Sequence, residues 1–235
     1  MAISQAHKMA NYDSPTSNAA VRETLKGYKR QVGTAPNQKA PLTVEHLRRM
    51  LESLPNSLIG SRDRALLLLG FAGGFRRSEI VGLDIDDIEF VPRGMVVTLR
   101  RSKTDQEGEG RRLGIPFGSG EETCPVRALH SWLEGADIKS GPLFRAVDRH
   151  CNVASTRLTD RTVARVIKRL AHKVGYDATD FSGHSLRAGL ATSAAESGKS
   201  ERVIMATTGH RSEKMVRKYI REGNLFRDCA SEGLL

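Results

Sequence analysis

Apolar residues settle into regular spacing only from about Leu42 onward. Thr43, followed by Glu45 and His46, opens a helix whose Leu47, Met50, Leu51 and Leu54 recur at helical intervals. Ser61 is placed to cap a second helix over residues 62–72, stopped by Gly73-Gly74, and residues 77–82 form a further helical turn or two. Residues 88–91, 95–101 and 112–115 alternate or are β-branched, with Pro92-Arg93-Gly94 between the first two. They predict a small antiparallel sheet whose tip is the Gly- and charge-rich stretch 102–110. The rest reads as helices: 124–133, 159–174, 182–197, 200–209 and 212–219. The second of these, 159–174, sets Val163, Val166, Ile167 and Leu170 on one face, with most of its cations elsewhere. The fold class expected is mainly α with a small antiparallel β-sheet (α+β).

Residues 1–40 differ. They hold a breaker cluster, Asp13-Ser14-Pro15-Thr16-Ser17, a short basic helix over 21–31, and an extended linker over 32–41. Their apolar content is too small for a separate core, so the segment reads as an arm or as the end of something upstream.

Charge sharpens this picture. Lys and Arg number 37 against 27 Asp and Glu, a net charge of +10, which suits a polyanion partner. No apolar run approaches the ~18 residues of a membrane span. Ala65-Leu66-Leu67-Leu68-Leu69 reads instead as a buried helix segment. The N-terminus has no secretory apolar core. Three cysteines, Cys124, Cys151 and Cys229, lack C-x-x-C spacing and fit a reducing compartment, so a cytoplasmic protein is expected, nucleoid-associated in a bacterial host.

Four short clusters carry candidate chemistry. Gly73-Gly74-Phe75-Arg76-Arg77-Ser78-Glu79-Ile80 turns the chain sharply and puts Arg76 at a helix start, where N–H groups also favour an anion. His184-Ser185-Leu186-Arg187 sets an imidazole and a guanidinium three residues apart, on one face of a helix. Gly209-His210 precedes a helix bearing Tyr219. Residues 199–222 carry seven basic and three acidic side chains, a positive potential expected to favour the Tyr219 phenolate. Arg101-Ser102-Lys103-Thr104 puts a lysine on the hairpin tip. Each cluster alone has an ordinary structural explanation. Together they match what metal-free phosphodiester cleavage needs: planar guanidinium groups on the phosphate, a nucleophile, and an acid for the leaving oxygen.

In order and spacing the set resembles the tyrosine recombinase (phage integrase) family over residues 42–225. Arg187 and His210 are 23 positions apart, His210 and Tyr219 nine. The resemblance implies the catalytic-domain fold of that family and a role for each residue. Arg76 and Arg187 would clamp the scissile phosphate, Lys103 would protonate the 5′ oxygen, and His184 would act on the tyrosine proton. His210 would hydrogen-bond the phosphate, Tyr219 would be the nucleophile, and Glu79 would orient the others. Candidate DNA contacts are Arg77, Arg101, Arg161, Arg165, Lys168, Arg211 and Lys214. The chemistry, similar to that of type IB topoisomerases, would pass through a 3′-phosphotyrosyl ester and use no metal, nucleotide or other cofactor.

The partners implied are double-stranded DNA and three further copies in a tetramer on paired sites, with room for accessory DNA-bending proteins and no membrane. Residues 1–40 would be the last helix and linker of an N-terminal core-binding domain. Residues 41–235 would be the catalytic domain, its segment after Tyr219 docking on a neighbour. Arg77 departs from the family's pattern, standing where an apolar residue is usual. Two other readings stay open: a relaxing topoisomerase with no partner site, and a truncated regulator that binds DNA without cutting it.

Overall fold

A computed structural model of the chain describes residues 2–33, 39–100, 110–210 and 212–224. Arg101, Lys103, Arg211 and the expected C-terminal docking segment from residue 225 lie outside the described residues. The chain divides into two units, Met1–Gln38 and Lys39–Leu235.

The first unit contains α1 (Ala2–Met9), a 3-10 turn at Pro15–Ser17, and α2 (Ala19–Val32). Asn18 caps α2 by accepting from the Ala20 N–H at 2.9 Å. Neither helix buries a residue. The sequence predicted α2 but not α1, whose eight residues are fewer than the stretch over which helical periodicity can be read.

The second unit is built around α4 (Leu58–Ala72). This helix is apolar on every side at Ala65–Leu69, which suits a central position. It starts at Ser57, whose hydroxyl accepts from the Gly60 N–H, rather than at Ser61 as expected. The long side of α6 (Pro125–Gly135) packs on it, with Leu129 and Trp132 fully buried and the indole N–H donating to the Leu143 carbonyl at 2.9 Å. α3 (Val44–Glu52), α5 (Arg77–Gly82), α7 (Asp160–Lys173) and α8 (Ser185–Glu196) complete the surround. α9 (Glu201–Thr208) and α10 (Glu213–Gly223) pack with α8 around a smaller cluster of Ala191, Ala195, Ile204 and Val216.

The predicted sheet is present as β1 (Ile88–Val91), β2 (Gly94–Leu99) and β3 (Arg111–Pro116), antiparallel in that order. Leu99 faces Arg111 across the β2–β3 ladder. One element was missed where only helices were expected: a hairpin of β4 (Arg145–Val147) and β5 (Val153–Arg157). Its strands are short and polar, so alternation gives little signal. It is held by distant groups instead, as the Arg157 guanidinium donates to the carbonyls of Val81 and Leu83 and to Asp84.

A buried ionic knot ties α4 to α7. Asp63 is 0% exposed and accepts from Arg62 Nε and Nη2 at 2.9 and 2.7 Å and from Arg169. Removing the carboxylate would strand a buried guanidinium. Asp63→Ala is therefore expected to lower unfolding stability by about 3–5 kcal/mol, read from the midpoint of a denaturant titration. A loss below about 1 kcal/mol would show that water replaces the carboxylate at this position.

Candidate active site

Three segments meet where α4 ends, α8 begins and α9 turns into α10. At the first, Gly74 adopts φ 56°, and a Cβ there would press on Leu190 and Thr208. This sharp exit places Arg76 at the N-cap of α5. Glu79, 6% exposed, accepts from the Arg76 backbone N–H at 2.9 Å through Oε2 and from its guanidinium through Oε1. The N–H expected to favour an external anion is thus taken by Glu79, while the same carboxylate fixes the Arg76 side chain.

At the second segment, the Ser182 N–H donates to Ser185 Oγ at 2.9 Å and the His184 N–H to Ser182 Oγ at 3.2 Å, closing the start of α8. His184 and Arg187 then separate in environment. His184 is exposed at the N-cap, whereas Arg187 is 4% exposed. Arg187 Nη1 donates to the carbonyls of Gly74 (2.9 Å) and Thr208, and its Nε faces His210 Nε2 at 3.4 Å. Its Nη2 is buried with no partner among the described residues. Burial in a cationic surround pulls the Arg187 pKa down to about 10, so it remains charged at neutral pH.

The third segment is the α9–α10 turn, where Gly209 takes a left-handed φ of 67°. Thr208 Oγ1 donates to the Ile204 carbonyl at 2.7 Å and lies 2.7 Å from His210 Nδ1. Its single proton being committed to Ile204, the hydroxyl accepts from His210, which puts the imidazole proton on Nδ1 and a lone pair on Nε2. Burial, then Arg187, Arg76 and Arg111, push the His210 pKa down to about 4, so the ring is neutral at neutral pH.

Tyr219 projects from α10 with its ring centroid 5.8 Å from that of His210, the planes at 45°. Its ring packs against the small cluster of Ala191, Ala195, Ile204 and Val216. The phenol's pKa is raised, not lowered: desolvation outweighs the attraction of Arg187, and Glu222 adds to the rise. The expected phenolate-favouring potential is outweighed by burial, and several described cations of this segment turn to solvent. Arg217, for example, is paired with Glu201 and Glu213.

The site therefore gathers Arg76, Glu79, Arg187, His210 and Tyr219. One member was missed. Arg111, at the start of β3, donates from Nη1 to the carbonyls of Ala206 (3.2 Å) and Thr207 (2.9 Å). Its pKa is lowered by burial, with Glu79 raising and Arg76 lowering it. In sequence it is one of two adjacent arginines. Strand alternation separates them, since Arg112 pairs with Glu89 at the surface.

Among the candidate DNA contacts, Arg77 is half-exposed, ion-paired through Nε to Asp160 at 3.0 Å, and lies over Gly183. Arg161, Arg165 and Lys168 on α7 and Lys214 on α10 are exposed.

The family model described as "Phage integrase family" matches residues 40–224. An integrase/recombinase xerD homolog from Selenomonas ruminantium is 41% identical, over 97% of this chain and 68% of its own length. Tyrosine recombinase XerC from Pelobacter propionicus is 32% identical, over 68% of this chain and 47% of its own length. The chain thus spans about two thirds of the first relative and about half of the second. Among solved structures, XerA recombinase superposes with a TM-score of 0.60 at 22% identity, covering 97% of this chain and 81% of that one. XerH site-specific recombinase bound to palindromic difH substrate superposes at 0.65 and 20% identity, covering 82% and 53%. The fold expected from the residue set is the fold these structures share.

The His210 environment has a pH consequence. A pKa held at about 4, below the ordinary 6.5, means the unfolded chain binds the proton more readily. The associated stability is full above pH 6.5 and is lost as pH falls toward 4. Compared with the wild type, His210→Gln is expected to flatten the pH dependence of unfolding free energy across that window. Parallel curves for the two proteins would contradict a depressed pKa.

Proposed function

This chain belongs to the phage integrase family, and on that premise we propose that it cleaves and rejoins double-stranded DNA through Tyr219. The observation that carries the reading is the buried Nη2 of Arg187, without a partner among the described residues and set in one cluster with Arg76, His210 and Tyr219. A native fold rarely leaves a cationic donor buried and open, and an anion that completes it is the simplest occupant. A backbone phosphate fits that description.

In the proposed step Tyr219 Oη attacks the phosphorus. The new bond is the 3′-phosphotyrosyl ester, and the bond to the 5′ oxygen breaks. Arg76, held by Glu79, and Arg187 neutralise the non-bridging oxygens as charge redistributes. Lys103 supplies the proton to the departing 5′ oxygen. Because the phenol's pKa is raised, its proton must be removed as it attacks, a task assigned to His184. As the bound phosphate's charge offsets the cations that keep the ring neutral, His210 takes a proton from solvent onto Nε2 and donates it in a hydrogen bond to a phosphate oxygen. Attack of the 5′ hydroxyl on the ester reverses the sequence. The bond energy stays in the ester, so neither ATP nor a metal enters this scheme.

Residues 41–235 act in this reading as the catalytic domain, and residues 1–40 as the end of a DNA-gripping domain. The reaction takes place in the cytoplasm on two DNA sites held by a tetramer, its C-terminal segments docking between neighbours. Arg77, Arg101, Arg161, Arg165, Lys168, Arg211 and Lys214 contact the DNA backbone. The xerD and XerC names of the relatives, and the DNA-bound XerH structure, support this reading.

Incubation with a library of nicked duplexes, followed by denaturing separation, should capture a covalent protein–DNA adduct. Tyr219→Phe should abolish it, and Arg187→Met should slow its formation at least ~100-fold. An adduct that survives Tyr219→Phe would overturn the assignment. In binding titrations, Arg165→Ala should lower the slope of log affinity against log salt by about 1. An unchanged slope would remove α7 from the DNA interface.

A further inference from the structure

We propose that Arg111 is a positioning residue for strand cleavage, anchoring the turn that carries His210 to the edge of the three-stranded sheet. The inference rests on the reaction proposed above and adds a residue to it.

The end of α9 shows how this works. A helix leaves its last four carbonyls without intrahelical partners. Here the Met205 carbonyl accepts from the Gly209 N–H at 2.7 Å. Those of Ala206 and Thr207 accept from Arg111, and that of Thr208 accepts from Arg187. Three of the four are therefore held by two guanidinium groups, one from α8 and one from β3. Cations at this end also complement the helix dipole. Packing of Ile204 against Ala191, Ala195 and Val216 holds the body of α9, and Arg187 holds the last carbonyl of its end to the start of α8. Arg111 supplies the second fixed point, on a strand whose register is set by pairing with β2.

Gly209 supports the same assignment. A Cβ there would lie 2.5 Å from Arg111 Nη1 and 3.0 Å from its Cζ, so the guanidinium rests directly against the residue before His210. Its placement is that of a site group and not of a free surface cation, because it is half-buried against the α9–α10 turn and lies close enough to Glu79 and Arg76 to interact with both. Among the described residues, the groups acting on His210 are then Arg187 from α8, Arg76 from α5 and Arg111 from β3, with Thr208 and Tyr219 beside it. Loss of the second tether would let the imidazole, and with it the Tyr219 helix, shift by a fraction of an ångström or more. Misplacement by about 1 Å can cost ~100-fold in rate.

A simple helix cap would behave differently, since its loss weakens the fold without acting through His210. The test uses the full chain as wild type, Arg111→Met, Arg111→Lys, His210→Gln and the Arg111→Met/His210→Gln double variant. Melting temperature, affinity for a captured duplex and the single-turnover rate of adduct formation at saturating DNA are measured for each. Expected is a fall of about 10–100-fold in the Arg111→Met rate, with affinity within about threefold and partial recovery in Arg111→Lys. The double variant should be little slower than His210→Gln alone, because residues acting as a unit are non-additive. A folded Arg111→Met that cleaves at the wild-type rate, or effects that multiply in the double variant, would overturn the proposal. Should Arg111→Met fail to fold, the Arg111→Lys rate and its cycle with His210→Gln decide the matter by the same criteria. A second measurement does not depend on the reaction: the backbone amide resonances of Thr207 to His210 in the free protein should move in Arg111→Met and return only in part in Arg111→Lys, which keeps the charge but not the two-carbonyl grip. Unmoved resonances would also refute the tether. If the wild type forms no adduct while these resonances respond, the reaction reading fails and the tether stands.

Discussion

The buried guanidinium of Arg187 is the contact on which the site depends. Its Nη1 bridges the carbonyl that ends the α4 turn, Gly74, and the carbonyl that ends α9, Thr208, while Nε reaches His210. Segments more than a hundred positions apart in the chain are thereby held by one side chain. Burying a full charge is costly, and here the cost is offset by two backbone acceptors and the nearby Glu79 carboxylate. One donor, Nη2, has no partner among the described residues, and the reaction proposed above puts the phosphate there.

The same arrangement sets the protonation states around it. Arg76, Arg111 and Arg187 converge, and their field together with burial leaves His210 neutral. Tyr219 lies close enough to feel Arg187, yet its ring is half-covered by the α8–α10 cluster and its hydroxyl stays protonated. Both aromatic groups are therefore uncharged before any substrate arrives. In the reaction proposed above this would be the resting state, and a phosphate would relieve the cationic field and change the balance at both groups. Glu79 restrains the system from the other side by fixing Arg76 through two contacts.

Much of the architecture was legible from local rules. Thr43, Ser200 and Gly209 stand at the helix ends that their chemistry predicts, and the three strands of the sheet fall within a residue or two of the alternating segments. Other features were not legible because their causes are not local. The β4–β5 hairpin is secured by Arg157 reaching back to Val81 and Leu83. The start of α4 moved to Ser57 because an apolar helix in the centre of the core gains from four more residues of packing, whatever cap is offered at Ser61.

By itself, the sequence determined the fold class and the order of a residue set that resembles one family, because periodicity, capping and motif spacing are properties of neighbouring residues. It also determined that Arg76, Arg187, His210 and Tyr219 belong together, since their boxes follow in the order and at the spacing that the resemblance implies. Only the tertiary structure decided which of two adjacent arginines, Arg111 or Arg112, enters the site, and that His184 stays exposed while Arg187 is buried. It alone reversed the expected direction for the Tyr219 phenol. The reason is common to all three. Burial and electrostatic potential are sums over groups brought together from distant parts of the chain, and no local pattern contains those sums.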